Sequence, residues 1–186
     1  MDLVVRNARL AGSPSAPVDI GVANGRIAAI GHNLGEAGES YDAEGRLACA
    51  GLVETHIHLD KSRLIDRLPP ETGRRINPMR QVAAIKRELT VEDIRRRAAQ
   101  TLEECILNGA TRMRTQVEVD PAIGMRGFDG VSSLIADYRW AIDIEICVFP
   151  QDGLTNYPGT DELLVEALKR GAKAIGGAPR YDADHA

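Results

Sequence analysis

The sequence predicts an α/β fold, a small N-terminal β-rich module followed by the first half of a (β/α)8 TIM barrel. Two observations carry this. Residues 2 to 52 fall into short runs rich in Val, Ile, Ala and Gly (LVVRNARL, VDIGVANGRIAAIG, SYDAEGRLACAG) that read as strands. Beyond residue 52, apolar strand-like runs alternate with helical stretches, the pattern of parallel β/α units. With 44% hydrophobic and 27% charged residues, a chain of 186 residues can bury a full core. The expected division is a β module over 1–50 and four β/α units over 51–186.

Within the first module, Asn24-Gly25 separates two apolar runs and tolerates the positive φ angles of a type I′ hairpin turn. In the second, Leu52 to Leu59 is the first strand. A shorter helix around Ile85 and Leu89 precedes a long one from Val91, with Thr90 as N-cap, apolar residues at Ile94, Ala98 and Leu102, and Asn108-Gly109 as a stop. Thr111 to Val119 is the next strand, Val131 to Tyr138 a weaker helix and Ile142 to Phe149 a third strand. Thr160 is expected to cap a helix that Gly171 ends, and Ala172 to Ala178 to form the fourth strand. Four such units are half of a (β/α)8 barrel. The stretch from Ser62 to Gln81, with Pro69-Pro70 and Asn77-Pro78, reads as a loop over a strand end.

Composition excludes several function classes. A net charge of -4 and a pI near 5.6 give no basic field for a nucleic-acid polymer. No run approaches the roughly 20 apolar residues of a membrane span, so the expected location is cytoplasmic. Cys49, Cys105 and Cys147 lack the spacing of a metal or disulfide framework and are expected to be reduced and buried.

The chemistry concentrates in Gly51-Leu52-Val53-Glu54-Thr55-His56-Ile57-His58-Leu59-Asp60. Strict alternation along a strand puts Val53, Ile57 and Leu59 on one face and Glu54, His56, His58 and Asp60 on the other. Two histidines at i and i+2 project in parallel and can share one divalent cation, at the strand end where barrel enzymes work. An edge strand with a solvated polar face explains an isolated His-x-His equally well. Asp60 and Lys61 could orient the ligands, although an exposed ion pair is the simpler expectation. Gln116, Arg114 and Glu118 share one face of the second strand; Gln116 is a candidate pocket liner, and Arg114 and Glu118 are candidate pocket liners or, equally, structural polar residues inside a barrel.

LVVRNARL, ANGRIAAIG and AGLVETHIHLD together resemble the opening of the amidohydrolase superfamily. ATRMRTQVEVD, IDIEICVFPQDGL and ELLVEALKRGAKAIGGAP are similar to its cytosine deaminase and N-isopropylammelide amidohydrolase branch, and the resemblance covers essentially the whole chain. It implies that the N-terminal module is a β-sandwich and that His56 and His58 bind one catalytic Fe or Zn ion. It also implies that Gln151, in the VFPQDG element, reads the amide edge of a small heterocyclic substrate, which a carboxamide does by donating and accepting at once. Two departures stand out. Gln116 replaces the histidine common in RTHVDV, which puts the substrate's identity in doubt, and Cys49-Ala50-Gly51 replaces a usual Pro-Gly.

No lysine stands near the end of the fourth strand, where two-metal relatives carry one, so the resemblance is to a one-metal subtype. The further histidine and aspartate ligands and the proton-shuttling residues of that subtype have no counterpart; His32 and His185 are poorly placed to replace them. The chain therefore reads most simply as the N-terminal portion of a longer protein, inactive alone; a second half on a separate chain and a half-barrel that pairs with itself are the other two explanations. The expected macromolecular partner is a second copy in a homo-oligomer or a C-terminal half supplied by the rest of the protein. The expected activity is metal-dependent removal of an exocyclic amino or alkylamino group from a nitrogen heterocycle. The alternatives are a cyclic-amide hydrolase of the dihydroorotase or hydantoinase type and a non-catalytic half-barrel binding domain.

Overall fold

The computed structural model describes residues 1–13, 16–68 and 78–183. Residues 69–77 and His185 lie outside the described residues; of the stretch from Ser62 to Gln81 expected as loop, Ile65–Arg67 forms a 3-10 turn and residues 78–81 open a helix. The chain forms two compact units, Met1–Ala50 and Gly51–Ala186.

The first unit is a mixed sheet. Strands β1 (Leu3–Leu10), β2 (Val18–Ala23), β3 (Arg26–Gly31) and β4 (Glu39–Asp42) lie in the order β3-β2-β1-β4, and the short β5 (Leu47–Ala48) pairs with the end of β1. The β2–β3 hairpin turns on Asn24 and Gly25, both at positive φ (52° and 69°), as the Asn-Gly pair predicts. β1 is irregular between Val5 and Ala8, where Asn7 takes a φ of 54°. Buried Asp19 fixes this kink by accepting from the Asn7 backbone N–H (3.2 Å) and from Arg6 (3.3 Å).

The second unit is a four-stranded parallel sheet, β6 (Leu52–Ile57), β7 (Ala110–Glu118), β8 (Asp143–Phe149) and β9 (Ala174–Ile175), in sequence order. Helices α1 (Pro78–Ile85), α2 (Val91–Leu107), α3 (Arg126–Tyr138) and α4 (Thr160–Lys169) provide the connections. Met113, Thr115 and Val117 of β7 and Ile146 and Val148 of β8 point into the core with Ile94, Ala98 and Leu102 of α2, Phe128, Val131 and Leu134 of α3, and Leu164 and Ala167 of α4. The alternate residues Arg112, Arg114 and Gln116, and Asp143, Glu145 and Cys147, face the other side. Close α2–α3 packing depends on Gly130, where a Cβ would come within 2.8 Å of Ile94.

Helix α2 starts where predicted, because the Thr90 hydroxyl accepts the Asp93 N–H (3.2 Å) and acidic Glu92 and Asp93 sit in the first turn. Replacing Thr90 with Ala is expected to cost about 1 kcal/mol in denaturant titration, with Thr90→Ser close to the wild type.

Several boundaries differ from expectation. The cap of α4 is Gly159, at a φ of 93°, rather than Thr160, whose hydroxyl donates to the Tyr157 carbonyl inside the first turn (2.7 Å). β9 has two paired residues instead of seven, since only Cys147 and Val148 of β8 offer it partners. The cysteines are free, but Cys49 is exposed, lying just after β5 at the end of the first unit; Cys147 is buried. Among the described residues no helix is long and apolar enough to cross a membrane.

Candidate metal centre

The histidine strand does not alternate as its sequence suggests. Pairing of β6 with β7 slips between Glu54 and Ile57, so one extra residue is accommodated in β6. Val53 and Thr55 line a concavity with Arg112, Arg114, Asp143 and Glu145, whereas His56 and His58 line a second one with Gln116. Glu54 does not share the histidines' pocket; its carboxylate accepts the His56 backbone N–H (2.9 Å), tying down the irregular segment.

β6 then ends in a short 3-10 turn, Leu59–Lys61, which holds the second histidine in place. The Leu59 N–H donates to buried Thr115 Oγ1 (3.1 Å), and Asp60 accepts the Glu118 N–H (3.0 Å). Buried Arg97, on α2, donates to the carbonyls of Asp60 (3.1 Å) and Ser62 (2.5 Å). Asp60 and Lys61 are therefore not an exposed ion pair. Asp60 is 4% exposed and points at the backbone of β7, while Lys61 pairs with Glu118 at 2.7 Å.

His56 and His58 have ring centroids 5.3 Å apart, and Phe149 packs against His58 at the same separation. Burial holds the His58 imidazole below the usual histidine range; positive charge on Lys61 and His56 adds to this, and Asp60 opposes it. A neutral imidazole is the form that binds metal. His58 Nδ1 is buried without a hydrogen-bond partner among the described residues. The pair thus suits a divalent ion as two nitrogen ligands. No third His, Cys, Asp or Glu ligand atom groups with them among the described residues.

The pocket, about 490 Å³, is bordered by His56, His58, Gln116, Cys147, Phe149 and Gln151, and by the turn after β9 that carries Arg180 and Tyr181. Both predicted substrate-facing glutamines are here. Gln116 is half-buried, and its Oε1 has no hydrogen-bond partner among the described residues. Burial raises the Cys147 thiol's pKa, keeping it neutral. The other two residues offered as pocket liners do not border this space. Glu118 is 2% exposed and turned to two lysines, and Arg114 pairs with Glu145 (2.6 Å) in the neighbouring concavity.

Sequence reasoning missed the network beneath the pocket. Glu118, Asp120 and Asp152, from the ends of β7 and β8, converge closely enough to hold a cation, and the Lys86 ammonium takes that place. It is 2.8 Å from Glu118 and 2.5 Å from Asp152, with Asp120 as its third partner. Burial lowers a lysine's pKa, but these carboxylates outweigh it and raise that of Lys86. Burial raises Glu118 despite both lysines; Asp120 is also desolvated, yet its hydrogen bond from Lys86 brings it down. The available signal was a lysine just beyond a short helix, whose partners lie 32 to 66 residues away.

The fold, a mixed-sheet module followed by a parallel sheet with helices, matches the N-terminal part of the amidohydrolase fold. No family model matches the chain. It is 30% identical over 185 residues to N-isopropylammelide isopropyl amidohydrolase of Pseudomonas sp. strain ADP, covering 95% of this chain and 45% of that protein. Among solved structures, 5-methylcytosine deaminase from Klebsiella pneumoniae, liganded with 5-fluorocytosine, superposes with a TM-score of 0.85 at 31% identity, over 98% of this chain and 45% of that one. N-isopropylammelide isopropylaminohydrolase from Burkholderia multivorans gives 0.81 at 32% identity, over 95% and 45%. The chain spans less than half the length of these relatives.

Proposed function

We propose that this chain is part of a metal-dependent hydrolase that removes an exocyclic amino or alkylamino group from a nitrogen heterocycle. The observation that carries the reading is the convergence of His56, His58, Gln116 and Gln151 on one pocket at the ends of parallel strands. The relatives named for ammelide and 5-methylcytosine chemistry support it. In this reading Gly51–Ala186 supplies the first four β/α units of a (β/α)8 barrel, and the further ligands and proton-shuttling groups come from the rest of the protein. β6 and β9 each have a strand neighbour on one side alone among the described residues, which suits such a completion.

His56 and His58 would hold the ion through imidazole nitrogen. When bound, a divalent Fe or Zn ion supplies a water acidified toward a pKa of about 7, usable as a nucleophile at neutral pH. The chain's own residues do the positioning. The Gln151 carboxamide donates to and accepts from the ring's amide edge, the Gln116 oxygen, unpartnered among the described residues, accepts a ring N–H, and Phe149 keeps one wall apolar. Arg97, Thr115 and Asp60 fix the turn that presents His58.

The test is ammonia or amine release from cytosine and from an N-alkylamino triazine by the complete protein, before and after chelation. Gln151→Ala is expected to raise KM about tenfold or more while bound metal stays at the wild-type level, since a hydrogen-bonding edge loses its partner. Loss of metal in that variant would count against a substrate-reading role.

A further inference from the structure

An exposed arginine at the pocket's edge has no carboxylate partner among the described residues. Arg180, in the short 3-10 turn Pro179–Tyr181, borders the same space as His56, Gln116 and Gln151. Its guanidinium donates to the Tyr181 hydroxyl (3.1 Å) and stacks over that ring at 4.8 Å, and it has no carboxylate partner among the described residues. Most neighbouring cations differ, although Lys173, in the adjoining concavity, likewise has no carboxylate partner among the described residues. Arg112 and Arg114 are paired across strands with Asp143 and Glu145, and Lys61 and Lys86 are held by Glu118 and its neighbours. The nearest acid in sequence, Asp182, is turned elsewhere, accepting from the backbone and hydroxyl of Thr155.

Asn156 fixes the turn's position by bridging the Asp152 and Tyr181 carbonyls (2.6 Å each) and accepting the Ala183 N–H (2.8 Å). The segment bearing Gln151 and the segment bearing Arg180 are thereby tied together. Stacking on Tyr181 orients the guanidinium plane while leaving most of its donors free. Amide groups for a ring edge and an unpaired, oriented guanidinium then share one pocket.

Resting on the proposed function, we propose that Arg180 is a specificity-determining residue and that the site takes heterocycles bearing negative charge, either a ring-deprotonated hydroxytriazine or a carboxylated pyrimidine. A planar fork of donors matches such an anionic edge with two parallel charge-assisted hydrogen bonds, and a neutral ring forgoes them.

The experiment is calorimetric binding of three unreactive product-like rings to the complete protein at pH 8: uracil as the neutral probe, orotate with its charge on a carboxylate, and cyanurate with its charge on the ring. At least one anion is expected to bind about tenfold or more tighter than uracil, and which one does identifies the source of the charge. In Arg180→Gln that preference is expected to collapse to within about threefold, and Arg180→Lys, which keeps the charge and loses the fork, to recover part of it. Equal affinity for uracil and both anions in the wild-type protein, or a preference that survives Arg180→Gln, overturns the assignment and leaves the proposed function standing. Failure of all three rings to bind overturns both.

Discussion

Replacing His56 and His58 together with Ala is expected to take the complete protein from about one bound divalent ion per chain to none and to reduce heterocycle turnover to background. Both imidazoles line the same pocket, and the buried Nδ1 of His58, unpartnered among the described residues, is costly unless something uses it. Either single variant should lose most of the metal, because two ligands on one strand segment act as a chelating pair. Metal analysis after gel filtration, alongside ammonia release, makes the check. His32→Ala, in the other unit, should keep its metal. Undiminished turnover in a metal-free double variant would remove the metal from the mechanism.

The second large effect is on stability. Lys86→Met leaves Glu118, Asp120 and Asp152 facing one another without their ammonium, and breaking a buried ionic cluster from one side costs about 3–5 kcal/mol. The pH dependence has a definite sign. The raised pKa of Lys86 contributes stability that is fully present below the unfolded lysine value and is lost only as pH rises through the higher folded value. The lowered pKa of Asp120 contributes stability present above the unfolded aspartate value and lost as pH falls through the lower folded value. Glu118 works the other way, because burial raises it and its ionised form is costly at neutral pH. In Lys86→Met the unpaired carboxylates can relieve themselves by protonation. The deficit against wild type should be largest near pH 7 and narrow below about pH 4, read from urea midpoints at the two pH values. A deficit independent of pH would mean that Lys86 acts through packing of its stem.

Much of the scaffold was legible because its determinants are local. The Asn24-Gly25 turn, the Thr90 cap and the Ile94, Ala98, Leu102 stripe each act within a few residues, and each stands where the pattern put it. The shared position of His56, His58, Gln116 and Gln151 was anticipated from their places at strand ends and from the family resemblance. Alternation alone would have misplaced their neighbours. It set Glu54 and Asp60 beside the histidines, and the slip in β6 and the turn after it took both away.

By itself the sequence determined the α/β class and the order of strands and helices, both consequences of periodicity and short-range capping, and it singled out His56 and His58 through their spacing and the family resemblance. Tertiary structure alone decided that Asp60 is buried against β7, that Glu118 turns from the pocket to two lysines, and that Lys86 fills a three-carboxylate cage. Those outcomes depend on partners 32 to 66 residues apart whose burial exists only once the parallel strands are in register, when the cost of desolvating each charge selects which neighbour it must meet.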